Sequence, residues 1–196
     1  MNSDNEIMTV VLYEGRYQAA ERYARMLAEK RDVDLVPARD AKLTALRGYR
    51  TIILIGAVYN GEILGLDTLK RYYGKLKQQD SQNEVTQQYD KVHRYAVLAV
   101  GAAPEEVAVR GYAAQLPGEL AEIPLFYARG VWDEKALNSG DALRISLIRR
   151  ALTAKQAPAK NMVPAWLADL MQDQEAKDFV NEAYLDPLLD VIDGRF

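Results

Sequence analysis

The stretch Met8–Lys30, MTVVLYEGRYQAAERYARMLAEK, changes its hydrophobic period in the middle, and that change decides the fold. Met8 to Tyr13 is a short, continuous apolar run rich in β-branched residues, as a strand buried on both faces requires. From Tyr17 onward the period becomes helical. Ala20, Tyr23, Ala24, Leu27 and Ala28 share one side, and Glu21, Arg22, Arg25, Glu29 and Lys30 the other.

The same alternation continues along the chain. Val33–Val36 (VDLV) is predicted as a second strand ended by Pro37, and Thr51–Ile55 (TIILI), closed by Gly56, as the third and most apolar one. Ile63–Leu76 reads as a helix, and the glutamine-rich Gln78–Asp90 as a solvated connection in which His93, just beyond it, is exposed. Tyr95–Val100 (YAVLAV), closed by Gly101, is a fourth strand and Ile123–Tyr127 (IPLFY) a fifth. Helices are predicted over Glu105–Leu116 and over Glu134–Leu152, the latter with Leu137, Leu143, Leu147 and Ile148 facing inward. Buried strands alternating with amphipathic helices predict an α/β domain over residues 1–152 with a parallel sheet covered on both faces. Residues 153–163 read as a polar linker. Pro164 then opens a C-terminal helical extension, 164–196, with enough apolar residues to pack on the domain or to make a homodimer contact.

Composition narrows the function classes. With 196 residues, 49% hydrophobic and 27% charged, the chain has room for one well-packed domain with an appendage. A net charge of −3 argues against nucleic acid as the main partner, since a duplex binder concentrates Lys and Arg to displace counterions. The absence of cysteine excludes disulfides, thiolate catalysis and cysteine-ligated metal centres, so redox chemistry would need a cofactor. The opening MNSDNEIMTVV lacks the basic and apolar regions of a signal peptide, and no apolar run is long enough to cross a bilayer, so a cytoplasmic location is expected. No dinucleotide glycine fingerprint, triphosphate-binding loop or nucleophile elbow occurs. A receiver-type phosphoacceptor is missing too, because Ile55 and Gly56 stand where its aspartate belongs.

In an open α/β sheet, ligands bind beyond the carboxyl ends of the strands, near the point where strand order reverses. Three loops therefore matter: Glu14–Ala20, Gly56–Gly61 and Gly101–Glu106. The segments LYEGRYQAAERYARMLAE, IILIGAVYNGEI, VLAVGAAP and FYARGVWDEKALNSGDALRISLIRRAL, with the ending DFVNEAYLDPLLDVI, together resemble the flavodoxin-like family. Within it they are similar to the group that contains menaquinone-dependent protoporphyrinogen oxidase. The resemblance implies a three-layer fold with strand order 2-1-3-4-5 and a flavin mononucleotide (FMN) site. The phosphate would sit on Gly15, Arg16, Tyr17, Gln18, Ala19 and Ala20, held by main-chain amides at a helix N-terminus. The ring would lie against Val58, Tyr59, Asn60 and Gly61 on one side and Gly101, Ala102 and Ala103 on the other, and Arg129 with Gly130 matches a further family feature.

The first loop departs from the family pattern. No Ser or Thr hydroxyl stands in it, only the phenol of Tyr17, and Glu14 adds a carboxylate beside the phosphate position that Arg16 would have to offset. Two functions therefore stay open. One is an FMN-binding electron-transfer protein or oxidoreductase working with a quinone or organic substrate and a redox partner protein. The other is a flavodoxin-like binding or regulatory module that has lost tight flavin binding. No catalytic acid or base is assigned. For single residues, plain structural roles stand beside the functional ones: Glu14–Ala20 as a simple strand-to-helix link in which Gly15 permits a positive φ, Gly61 and Gly101 as turn glycines, Tyr59 packed on its loop, Arg129 capping a helix or paired with Asp133, Arg144, Arg149 and Arg150 as a solvated helix face, and Trp132 and Trp166 as packing residues.

Overall fold

A computed structural model of the chain describes residues 8–88, 92–111, 116–153, 163–172 and 175–196. Its centre is a sheet of β1 (Thr9–Glu14), β2 (Asp34–Pro37), β3 (Thr51–Tyr59), β4 (Glu62–Ile63), β5 (Arg94–Gly101) and β6 (Leu125–Arg129). The path β2-β1-β3-β5-β6 is parallel throughout, and the two-residue β4 folds back antiparallel on β3. Counting the five parallel strands alone, the order is 2-1-3-4-5, the flavodoxin-like arrangement.

Successive side chains of a strand point to opposite faces, and here both faces are apolar, which is why the strand sequences run without polar alternation. Val10, Leu12, Ile52, Leu54 and Val97 line one face with Leu69, Tyr73 and Leu76 of helix α3, where α1 is Ala19–Lys30, α2 is Leu43–Leu46 and α3 is Leu66–Val85. Val11, Ile53, Ile55, Ala96, Leu98 and Val100 line the other with Ala20, Tyr23, Ala24 and Leu27 of α1. The remaining helices are α4 (Glu105–Arg110), α5 (Ser139–Thr153), α6 (Ala165–Leu170) and α7 (Asp186–Ile192); β7 (Val131–Trp132) and β8 (Lys177–Asp178) form a small antiparallel ribbon.

Several elements differ from their predicted form, each for a physical reason. β3 does not stop at Gly56 but continues to Tyr59 and turns through Asn60 (φ 52°) and Gly61 (φ 82°), the two left-handed residues of a tight hairpin. Gly56 lies inside the strand because the chain after β4 passes over it: a Cβ there would collide with the Leu64 carbonyl oxygen and the Ile63 side chain. Ile63 therefore belongs to β4, and α3 starts at Leu66. That helix runs on through Gln78 and the polar residues to Val85, since Gln, Glu and Lys are good helix formers and need no apolar face on the solvent side.

His93 is buried rather than exposed. Asp80 of α3 accepts a bond from the His93 amide (3.0 Å) and pairs with its Nδ1, while the Tyr95 hydroxyl donates to the other carboxylate oxygen at 3.2 Å. Burial opposes the charge on Asp80, but the bonds from His93 outweigh it and hold the carboxyl below its ordinary range. Two smaller shifts concern boundaries: α4 ends at Arg110, with 112–115 outside the described residues, and the fifth parallel strand sits two residues later than predicted, at Leu125–Arg129. Most of the predicted linker, 154–162, also lies outside the described residues.

The largest correction concerns α5. None of its side chains is fully buried: of the four predicted to face inward, Leu143 and Leu147 are 60% and 55% exposed, while Ile148 and, just before the helix, Leu137 are half-buried. Its place against the second face of the sheet is taken by Leu185, Leu188 and Val191, the last two from α7. Tyr23 ties the C-terminal segment to the sheet. Its hydroxyl donates to the Arg129 carbonyl (2.7 Å) and accepts from the Asn181 amide (3.1 Å), and its ring meets Tyr184 edge-on.

Two substitutions separate these roles. Leu54→Ala, in the middle of β3 and fully buried, is expected to cost about 2–5 kcal/mol of stability. Leu143→Ala is expected to change it by no more than about 0.5 kcal/mol. Urea denaturation of the two variants checks the contrast, and equal losses would mean that α5 packs inward after all.

Candidate functional site

The order of the sheet reverses between β1 and β3, so the loops leaving their carboxyl ends flank the crevice where this fold class binds ligands. After β1, Gly15 does not adopt the positive φ expected of it; glycine is required there by close packing instead, since a Cβ would stand 3.0 Å from the Tyr17 carbonyl oxygen and 3.2 Å from the Ala20 Cβ. Gln18 precedes α1 without capping it, so the amides of the first helical turn have no acceptor within the helix. A cavity of about 420 Å³ opens beside this loop, between Glu14–Gln18 and Pro37–Arg39, with Arg16 and Arg39 as its cations and Glu14 and Glu21 as its carboxylates. A second cavity, about 590 Å³, shares Glu14 and Arg39 and reaches the start of α3. Both volumes lie in the range of small-molecule sites.

The predicted site residues fall into three groups. Ala19 and Ala20 are core residues of the second face; Ala19 meets Gly130, where a Cβ would stand 3.0 Å from its own. Only their amides are available to a ligand. Gly101, Ala102 and Ala103 form a loop whose carbonyls are already engaged: Gly101 by the Gly130 amide (2.8 Å), Ala102 by the Arg129 guanidinium (3.2 Å) and Ala103 by the Tyr127 hydroxyl (2.8 Å). Arg129 neither caps a helix nor pairs with Asp133. Its guanidinium lies 3.6 Å from the centre of the Phe179 ring, and Asp133 caps the turn at Glu134–Ala136. Val58 is half-buried at the β4 pairing, opposite Ile63.

The third group is drawn into one polar cluster with residues at the start of α5. Tyr17, from the loop after β1, donates to Asp141 Oδ2 at 2.6 Å, and Tyr59, the last residue of β3, donates to Asp141 Oδ1 at 2.6 Å. The Asn138 side-chain amide also donates to Oδ2, at 2.8 Å, while its Oδ1 accepts from the Asp141 amide (3.0 Å). Arg144 reaches the Tyr59 hydroxyl (3.4 Å) and Asn60 Oδ1 (3.3 Å). Arg16 lies over the Tyr59 ring, 4.4 Å from its centre, a cation–π contact on the surface predicted to meet a flavin.

The start of α5 is thereby fastened across the crevice, from one loop to the other. Bonds from Tyr17 and then Tyr59 hold the Asp141 carboxyl below its ordinary range, and burial followed by the Asp141 bond raises the Tyr17 phenol. Of the three α5 arginines predicted to be solvated, Arg144 joins this cluster, Arg149 pairs with Glu134 at 2.5 Å and Arg150 is exposed.

Asp141 and Asn138 were missed by sequence reasoning. The cap-like Asn138-Ser139-Gly140-Asp141 at a helix start was the available signal, but Tyr17 lies 124 residues from its partner. Among the described residues no cluster of three His, Cys, Asp or Glu could hold a metal ion, and no helix is long and apolar enough to cross a membrane.

The topology defines a flavodoxin-like α/β fold. No protein-family model and no curated protein matches the chain. Among solved structures it is similar to the Trp repressor binding protein from Bacillus subtilis, at 16% identity and a TM-score of 0.38 over 62% of this chain and 82% of that one.

Because its folded carboxyl is held below the ordinary aspartate pKa of about 3.9, Asp141 keeps its bonds to the two tyrosines above that value and loses them only as pH falls through the lower, folded one. Carboxyl-carbon NMR should give a depressed midpoint that rises in Tyr17→Phe and Tyr59→Phe; an unshifted midpoint in the parent chain would remove the cluster.

Proposed function

We propose that this chain is a flavodoxin-like redox protein that receives FMN weakly in the crevice between the loops after β1 and β3. The observation that carries this reading is the first turn of α1, which has no side-chain cap and follows β1 at the point where strand order reverses, with a cavity of about 420 Å³ between its loop and the end of β2. Helix amides and a dipole end suit a phosphate dianion, and Arg16 and Arg39 add positive charge beside them. Tyr59 and Asn60 stand where a ring would lie, once Arg16 and Arg144 give way. FMN, when bound, supplies one- and two-electron transfer, here toward a quinone or an organic substrate such as a porphyrinogen, with a redox protein as the partner.

The expected weakness follows from the side chains. The loop offers main-chain donors but no Ser or Thr hydroxyl, and each missing bond to a charged group costs about 1.5–3 kcal/mol. Two such losses lower affinity by roughly two to four decades relative to a hydroxyl-lined loop. Glu14 and Glu21, the latter in the first turn of α1, add repulsion in the same cavity.

A second reading is favoured by one observation, the Asp141 carboxylate fixed between Tyr17 and Tyr59. On that reading the crevice is permanently closed and the chain works as a binding or regulatory module without flavin. Calorimetric titration with FMN, together with the melting temperature at saturating FMN, decides between them. Saturable heat and a raised melting temperature are expected, with the flavin bands lost on desalting as a weak complex requires. No heat and no stabilisation would leave only the second reading.

A further inference from the structure

The Asp141 carboxylate accepts side-chain bonds from three separate segments, the loop after β1 (Tyr17), the end of β3 (Tyr59) and the residue before α5 (Asn138). Arg16 and Arg144 stand beside them. Apart from Asp141 itself, this set is built from donors and cations, which is the chemistry of a site for an oxyanion. The group that fills it comes from a helix with little else to hold it there. No side chain of α5 is fully buried, Leu143 and Leu147 face solvent, and beyond the Asp141 cluster the helix is held by half-buried residues such as Ile145 and Ile148 and by Arg149, which pairs with Glu134 and donates to the Met171 carbonyl. Polar contacts of this kind at a surface are worth little in net stability, so an external anion can compete for them.

We propose that Tyr17, Tyr59 and Asn138 form an oxyanion subsite of which Asp141 is the built-in occupant, and that a ligand carrying a phosphate or carboxylate takes the subsite by exchange with Asp141, freeing the start of α5. The proposal deepens the reading of this crevice as a site for a phosphorylated ligand and rests on it for the place, not for the identity, of that ligand. Exchange also lowers apparent affinity in the parent chain, because the competent, open state is only part of the population.

The test titrates the full chain, Asp141→Ala and Asp141→Asn with inorganic phosphate, FMN and riboflavin, by calorimetry and by melting temperature, with circular dichroism to verify folding. Removing the carboxylate should tighten phosphate and FMN by about tenfold or more, the effect of one charge-assisted hydrogen bond released from competition, and leave riboflavin unchanged. Adding Tyr17→Phe and Tyr59→Phe to Asp141→Ala should abolish the gain. Tightening for phosphate alone would uphold the subsite and end the flavin proposal. FMN binding equally well to the parent and to both folded Asp141 variants would keep the flavin proposal and overturn the exchange. The exchange is also overturned if neither variant gains affinity for phosphate.

Discussion

A parallel sheet leaves apolar side chains on both faces, and the requirement that each face be covered governs how this chain is arranged. One face is served by α3 and the segment after β2. On the other, Ala20, Tyr23, Ala24 and Leu27 of α1 cover only part of Ile53, Ile55, Ala96 and Leu98, and the remainder is closed by Leu185, Leu188 and Val191 from the end of the chain. Tyr23 holds the two contributors together through its bonds to Arg129 and Asn181. Burial, ahead of the other influences, pushes its phenol up to about 12, so it stays neutral and brings no charge into the core at physiological pH.

Because the C-terminal segment covers that face, α5 is not needed for the core. A helix released from packing is placed by whatever polar contacts it finds, and α5 finds them at the crevice: Asp141 against Tyr17 and Tyr59, Arg144 against Asn60. The closure of the crevice is thus a consequence of how the opposite end of the chain packs.

This also explains what the sequence could reveal. The five parallel strands were legible because burial on both faces leaves continuous runs such as TVVLY and TIILI, which need no partner to be recognised. The choice between α5 and α7 was not legible, since Leu143, Leu147 and Ile148 recur at the same helical spacing as Leu185, Leu188 and Val191, and periodicity does not say which of two apolar stripes wins a face. His93 and Asp80 were hidden for a related reason: a polar pair looks solvated until the fold brings helix and strand together. In the site, Ala19 and Ala20 looked like eroded ligand positions, and the structure gives their smallness a packing cause, the close approach of Gly130 and the sheet.

Electrostatics in the crevice then favour selectivity over affinity. Beside the first loop Glu14 and Glu21 stand against Arg16 and Arg39, and in the neighbouring cluster Asp141 stands against Arg16 and Arg144, so a bare anion meets about as much repulsion as attraction. Discrimination depends on the difference between partners, and carboxylates lining a site raise the cost for any anion that offers nothing else. A ligand that adds an extended ring to its anionic group gains contact with Tyr59 and the hairpin at Asn60–Gly61, which free phosphate cannot make. On the proposed reading, the same carboxylates would weaken the site most for an anion that brings no planar body to lie against Tyr59.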